Sequence, residues 1–124
     1  MGYIDLHTHT KLSDGRLSAE ELILEAKKNQ IEILAITDHN RMLPIEEFER
    51  LEKLAAPEIK LIRGSEVSCS YWAGEELVEL HVVALFLDKY SVKESFFKVL
   101  EKNVSYSREP YIRAMLKKLE EVGF

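Results

Sequence analysis

Four histidines occur among the 124 residues, and two of them, His7 and His9, stand one residue apart in the stretch DLHTHTKLSDG. A third, His39, ends the run ITDHN after a β-rich segment, and the fourth, His81, interrupts the apolar run LHVVAL. Two carboxylates keep them company: Asp14 in the loop after the first apolar run, and Glu66 at the end of the third. In a strand covering Tyr3 to His9, the two-residue period sets Tyr3, Asp5, His7 and His9 on one face. His7 and His9 then project together at the strand's C-terminal end, a spacing that lets two imidazoles grip one metal ion. Asp5 is placed to orient a ring by accepting its spare N–H.

Taken singly, each residue has a plainer reading. A lone strand histidine is ordinarily a satisfied core or surface group, Glu66 a solvated strand end, His81 a buried neutral ring, and Asp14-Gly15 a turn. Taken together, three histidines and a glutamate at or just past strand ends, with the fourth histidine inside an apolar strand, read as a metal site. Imidazoles and carboxylates without thiolates suit Zn²⁺, Mn²⁺ or Fe²⁺ better than Ca²⁺. Cys69 reads as a small buried residue rather than a ligand.

The elements that must position these groups alternate strand and helix. Tyr3 to Leu6 opens as a strand. Ser18-Ala-Glu-Glu21 is a capping box, and Ala19, Leu22, Ile23 and Ala26 behind it predict a helix over 18–29. Ile31 to Thr37 suits a strand covered on both faces. Pro44 opens a second helix, with Ile45, Phe48, Leu51 and Leu54 on one stripe, and Pro57 ends it. Ile59 to Val67 and Leu77 to Leu87 read as strands, with a hairpin or ligand-facing loop from Ser68 to Glu76 between them. Ser91-Val-Lys-Glu94 is a second capping box opening a helix through about Val104. Pro110 starts a last helix with Ile112, Met115, Leu116 and Leu119 inward. This order predicts an α/β fold with a largely parallel sheet.

Composition bounds the rest. The length suits one domain, residues 1–124, and 46% hydrophobic with 31% charged residues is an ordinary globular balance. A net charge of −5 disfavours a general nucleic-acid-binding surface while leaving phosphorylated substrates open. The single cysteine forbids an internal disulfide and suits a reducing compartment. No apolar run approaches the ~20 residues of a membrane span, and MGYIDLHTHT has neither basic nor apolar signal-peptide character. The expected location is cytoplasmic, without membrane attachment.

The stretches DLHTHTKLSDG, ITDHN, GSEVSC and LHVVAL resemble, in order and spacing, the PHP family of polymerase and histidinol phosphatase domains, above all its stand-alone metal-dependent phosphoesterases. That resemblance implies a distorted (β/α)7 TIM-like barrel with one to three divalent ions (Mn²⁺, Zn²⁺, Fe²⁺ or Mg²⁺) at its C-terminal rim. It implies that His7, His9 and Glu66 share one metal and act catalytically through it. Glu66 bridges to a second metal held by His81, and Asp14 and His39 serve a third. The implied reaction is hydrolysis of phosphomonoesters or phosphodiesters of small nucleotides or nucleic-acid ends by metal-activated water. Arg108 is either a phosphate contact or a solvated helix-start arginine.

The family completes its metals with later ligands, a histidine and then an Asp and His close together, whereas no histidine follows His81 here. The chain thus corresponds to the first half of the barrel, with three ligands for the first metal and two each for the others. One well-held ion is expected. A half-barrel exposes strand edges, so self-association or pairing with a complementing half is expected unless the chain is a piece of a longer enzyme. The competing function is a non-catalytic metal-binding or interaction half-domain. Amidohydrolases also carry an HxH after a first barrel strand, but the SDG and TDH stretches resemble the phosphoesterases.

Overall fold

The alternating apolar runs resolve into seven elements: β1 (Tyr3–Thr8), α1 (Ala19–Lys28), β2 (Ile31–Ile36), α2 (Ile45–Ala55), β3 (Lys60–Ala73), β4 (Glu76–Phe86) and α3 (Glu94–Glu121). A computed structural model describes the backbone of residues 1–123 and the side chains of residues 1–102 and 112–123. The strands form one curled sheet in the order β1-β2-β3-β4, like part of a barrel wall. The first three strands are parallel, and β4 returns antiparallel along β3. Parallel strands joined by right-handed crossovers bring their C-terminal ends to one rim, so His7, Glu66 and the residues just after β2 share an edge.

Helix α1 begins where the sequence signal places it. The Ser18 hydroxyl accepts the Glu21 amide at 3.2 Å, and the Glu21 carboxylate accepts the Ser18 amide at 2.8 Å. Its inward residues Ile23 and Ala26 join Phe48, Leu51 and Ala55 of α2 and Leu34, Ile36 and Leu61 of the sheet in one buried cluster. Each large side chain buried there contributes roughly 1.5–3 kcal/mol, which clamps both helices to one side of the sheet.

The segment 68–76 is a true hairpin. Register runs unbroken from Arg63↔Phe86 to Ala73↔Glu76, leaving a two-residue turn at Gly74-Glu75. Gly74 has φ +67°, the left-handed conformation that such turns demand. β3 therefore extends six residues past its predicted end at Val67. Cys69, expected to be buried, is exposed on this arm, because the arm reaches beyond the helix layer that covers the rest of the sheet.

The strongest surprise is Arg63, 3% exposed on β3. Its Nε and Nη2 donate to the Leu43 carbonyl at 3.0 and 2.6 Å, Nη1 to the Lys89 carbonyl at 2.8 Å, and Nη2 to Glu94 Oε1 at 3.0 Å. Glu94 Oε1 also accepts the Ile45 amide, one of the unpaired donors at the start of α2. This explains why the predicted Ser91–Glu94 capping box does not form. The buried guanidinium takes the carboxylate, Ser91 Oγ donates to the Asp88 carbonyl at 2.7 Å, and Lys93 caps α3 without a side-chain bond.

Two predicted C-terminal helices are one, α3, built on strong helix formers at both ends. Ile112, Met115, Leu116 and Leu119, expected inward, are exposed, whereas near its start α3 is held where Phe97 packs edge-on against Phe86. Among the described residues no helix is long and apolar enough to cross a membrane. Replacing Arg63 by Met strands Glu94 and the two carbonyls, and is expected to lower unfolding stability by about 3 kcal/mol in urea titration. Glu94→Gln keeps an acceptor oxygen but leaves the buried guanidinium without its carboxylate, and should also lower stability, by roughly 2–3 kcal/mol.

Candidate metal centre

Strand β1 ends at Thr8, one residue before His9, where Thr37 N–H donates to the Thr8 carbonyl at 2.8 Å. The chain then turns around a buried carboxylate. Asp38 accepts the Thr10 amide and hydroxyl, each at 2.7 Å, and the Ser13 hydroxyl at 2.6 Å. The turn is tight: a Cβ on Gly15 would stand 2.2 Å from the His9 carbonyl oxygen. Glycine is thereby required, and Asp14 is held beside His9. Just past β2, the Asn40 amide donates to the Glu66 carbonyl at 2.8 Å and the Glu66 amide to the Asp38 carbonyl at 3.2 Å. This short parallel bridge sets His39 opposite Glu66. Asn40 adopts φ 52°, which asparagine tolerates, and its side chain exchanges two bonds with Ser68.

The result is a ring of imidazoles around one carboxylate. Nε2 atoms of His7 and His9 face the same Glu66 oxygen, Oε2, at 2.8 and 2.9 Å. His39 Nδ1 lies 3.6 Å from that oxygen, and His81 Nδ1 lies 3.1 Å from Oε1. Asp14 bridges the far side, 3.3 Å from His9 and 3.1 Å from His39. Neighbouring rings are close, with centroids 5.0 Å apart for His7–His9, 4.5 Å for His9–His39 and 5.4 Å for His39–His81.

Burial of Glu66 works to raise its pKa, but the His7 hydrogen bond and the charges of His39 and His7 prevail and hold it below the ordinary glutamate value. For Asp14 desolvation likewise pushes up, and the His39 hydrogen bond with the charges of His39 and His9 pulls it down. Both carboxylates are thus kept ionised and acceptor-rich, the state a cation requires.

All six sequence-nominated ligands come together, but the grouping differs from the expected division. Donor atoms within 4.8 Å of one another form three sets: His7, His9 and Glu66; His9, Asp14 and His39; and His39, Glu66 and His81. Sharing His9 and His39 between sets gives each three donors, where sequence counting left two sets with only two. Nitrogen and carboxylate oxygen donors in threes, with no thiolate, fit a divalent transition ion and leave positions open for water or substrate.

Asp5 does not orient a ring; it accepts the His7 backbone amide at 3.3 Å, because its side chain stays local to its own strand. Arg108 lies outside the described residues. Sequence reasoning passed over Asp38 and Asn40, although a paired Asp and Asn around His39, after an uncharged strand, was the available signal.

A family model for the PHP domain matches residues 5–121. The chain belongs to the PHP domain family. This PHP domain is 40% identical over 87 residues to a 5'-3' exoribonuclease of Haemophilus influenzae, covering 68% of the chain and 29% of that protein. It is 36% identical over 88 residues to a 3',5'-nucleoside bisphosphate phosphatase of Chromobacterium violaceum, covering 71% of the chain and 29% of that protein. The chain therefore spans 29% of the length of these two relatives. It also superposes, with TM-score 0.71 and 31% identity, on a solved structure described as an amidohydrolase from Chromobacterium violaceum with bound sulfate and no metal. That match covers 98% of the PHP domain and 39% of the other chain.

The Asp38 hub has a direct consequence. Asp38→Ala leaves the buried Thr10 amide and hydroxyl without an acceptor, and should lower stability by roughly 3 kcal/mol or more in denaturant titration. Asp38→Asn, which retains one acceptor oxygen, should lose clearly less.

Proposed function

We propose that this PHP domain carries the metal-binding rim of a phosphoesterase barrel, in the whole family domain a distorted (β/α)7 barrel. The reaction is hydrolysis of phosphate esters of small nucleotides or of nucleic-acid ends. The observation that carries the reading is the convergence of four imidazoles on the Glu66 carboxylate, with Asp14 bridging two of them. The names of the similar proteins, an exoribonuclease and a bisphosphate phosphatase, support the substrate class.

His7, His9, Asp14, His39, Glu66 and His81 are the ligands, and His7, His9 and Glu66 are the residues whose loss most directly removes the reaction. A divalent ion held by these residues would lower the pKa of a bound water toward neutrality and would offset charge on phosphoryl oxygens. Glu66 divides its work between its two oxygens, Oε2 facing His7 and His9 and Oε1 facing His81, so one carboxylate serves adjacent donor sets. His7 and His81 have half-exposed side chains and leave the rim open to an arriving phosphate. Asp38 holds the loop that carries His9 and Asp14, which limits their drift from the productive arrangement.

The test is metal content together with phosphate release from adenosine 3′,5′-bisphosphate, with Mn²⁺ and with chelator. Release that depends on Mn²⁺ and falls roughly 100-fold or more in Glu66→Gln is expected. Release that is indifferent to chelator defeats the reading. His7→Ala, at a half-exposed position, should lose bound metal with an unchanged unfolding midpoint; unfolding of that variant would point to a structural role instead.

A further inference from the structure

Helices cover the outer face of the sheet along only part of its length. On β3, Leu61 lies in the buried cluster with α1 and α2, and Arg63 is bonded to the Leu43 carbonyl and to Glu94 of α3. Continuing at the same two-residue period, Val67, Cys69 and Tyr71 turn to that face, opposite Val82, Leu80 and Val78 of β4. This stretch of the arm is left open: Tyr71 is 52% exposed, Val82 45% and Leu80 38%.

The end of α3 has the matching need. Ile112, Met115, Leu116 and Leu119 follow one another at i, i+3, i+4 and i+7, so they make one apolar stripe, and all four are exposed. A helix stripe packed on a sheet face is the layer arrangement that α1 and α2 already use in this fold. Because both surfaces are exposed, the stripe does not cover the arm of its own chain.

Charge says which surfaces belong together. The arm carries Glu75, Glu76 and Glu79, and no lysine or arginine occurs between Gly64 and Asp88. Arg113, Lys117 and Lys118 are interleaved with the stripe, and Glu120 and Glu121 come only after its last apolar residue. Pairing two stripes with each other would bring Lys117 and Lys118 of both copies together, whereas stripe on arm sets unlike charges face to face.

We propose that two copies of this chain associate by exchange, the α3 stripe of each lying on the outer face of the other's β3–β4 arm. A two-fold pair makes this contact twice and closes on itself, so no open-ended chain of copies forms. Glu66 and His81 lie on the opposite face of the arm, so the contact leaves these metal-site donors untouched. The inference is independent of the phosphoesterase reading.

The test is sedimentation equilibrium of the 124-residue chain over roughly 1 to 200 μM, a range that brackets a micromolar dissociation constant. Wild type should pass from monomer to dimer, and no further. Leu116→Glu on the helix and Tyr71→Lys on the arm, both at exposed positions, should each weaken association about 10-fold or more with unchanged Mn²⁺ binding. Placement is read from Met115→Cys treated with oxidised glutathione, with the disulfides mapped by mass spectrometry. The new thiol should join Cys69 of the partner subunit, and adding Tyr71→Lys to the same chain should suppress that link. A monomer at every concentration, a disulfide between position 115 of both copies, or one closed within a single chain overturns the assignment.

Discussion

The carboxylate of Glu66 sits at the end of a buried strand segment, its side chain 8% exposed, and a charge in that position must be compensated nearby. Every neighbouring element answers that requirement. β1 contributes His7 and, one residue past its end, His9; the segment after β2 contributes His39; and β4 contributes His81 from the adjoining antiparallel strand. β1 and β2 end at this rim and the parallel β3 crosses it at Glu66, so the convergence is a consequence of topology. The pairing that keeps Glu66 ionised without a metal is the same donor set that suits it to hold one.

Two further buried charges keep the rim in shape, and they are solved in opposite ways. Asp38 is an acceptor surrounded by donors from Thr10 and Ser13, so it ties the β1–α1 loop to the segment that bears His39. Arg63 is a donor surrounded by carbonyls and Glu94, so it ties β3 to the start of α2 and to α3. Neither charge faces the histidine ring in these contacts. Their contribution to function is rigidity: ligands held in place before a cation arrives lose less freedom when it binds.

Much of this was legible in the chain. The Ser18 capping box and the apolar stripe behind it located α1, because those signals are local. The HTH spacing, the TDH segment, Glu66 at the predicted end of the third strand and His81 inside an apolar run nominated five of the six convergent residues from short-range properties, and Asp14 in the SDG turn was added by the family resemblance. The same reasoning failed where partners are distant. Ser91 and Glu94 have the right spacing for a capping box, yet a buried arginine some thirty residues earlier takes the carboxylate. The apolar stripe on the last helix reads as inward-facing, yet those residues are exposed in this chain.

What the sequence by itself determined is the inventory: which residues can ligate, on which strands they lie, and on which face of each strand they point. Backbone geometry dictates those features within a few residues of each side chain. Only the tertiary structure decided how the donors are shared. His9 and His39 each serve two sets because the Asp38 hub and the His39–Glu66 bridge bring loops from different strands within a few ångströms. It also decided that the outer face of the β3–β4 arm and the apolar stripe of α3 stay uncovered within one chain. Distances between groups 25 to 60 residues apart follow from how the strands curl and stack, a property of the whole packed sheet that no local spacing encodes.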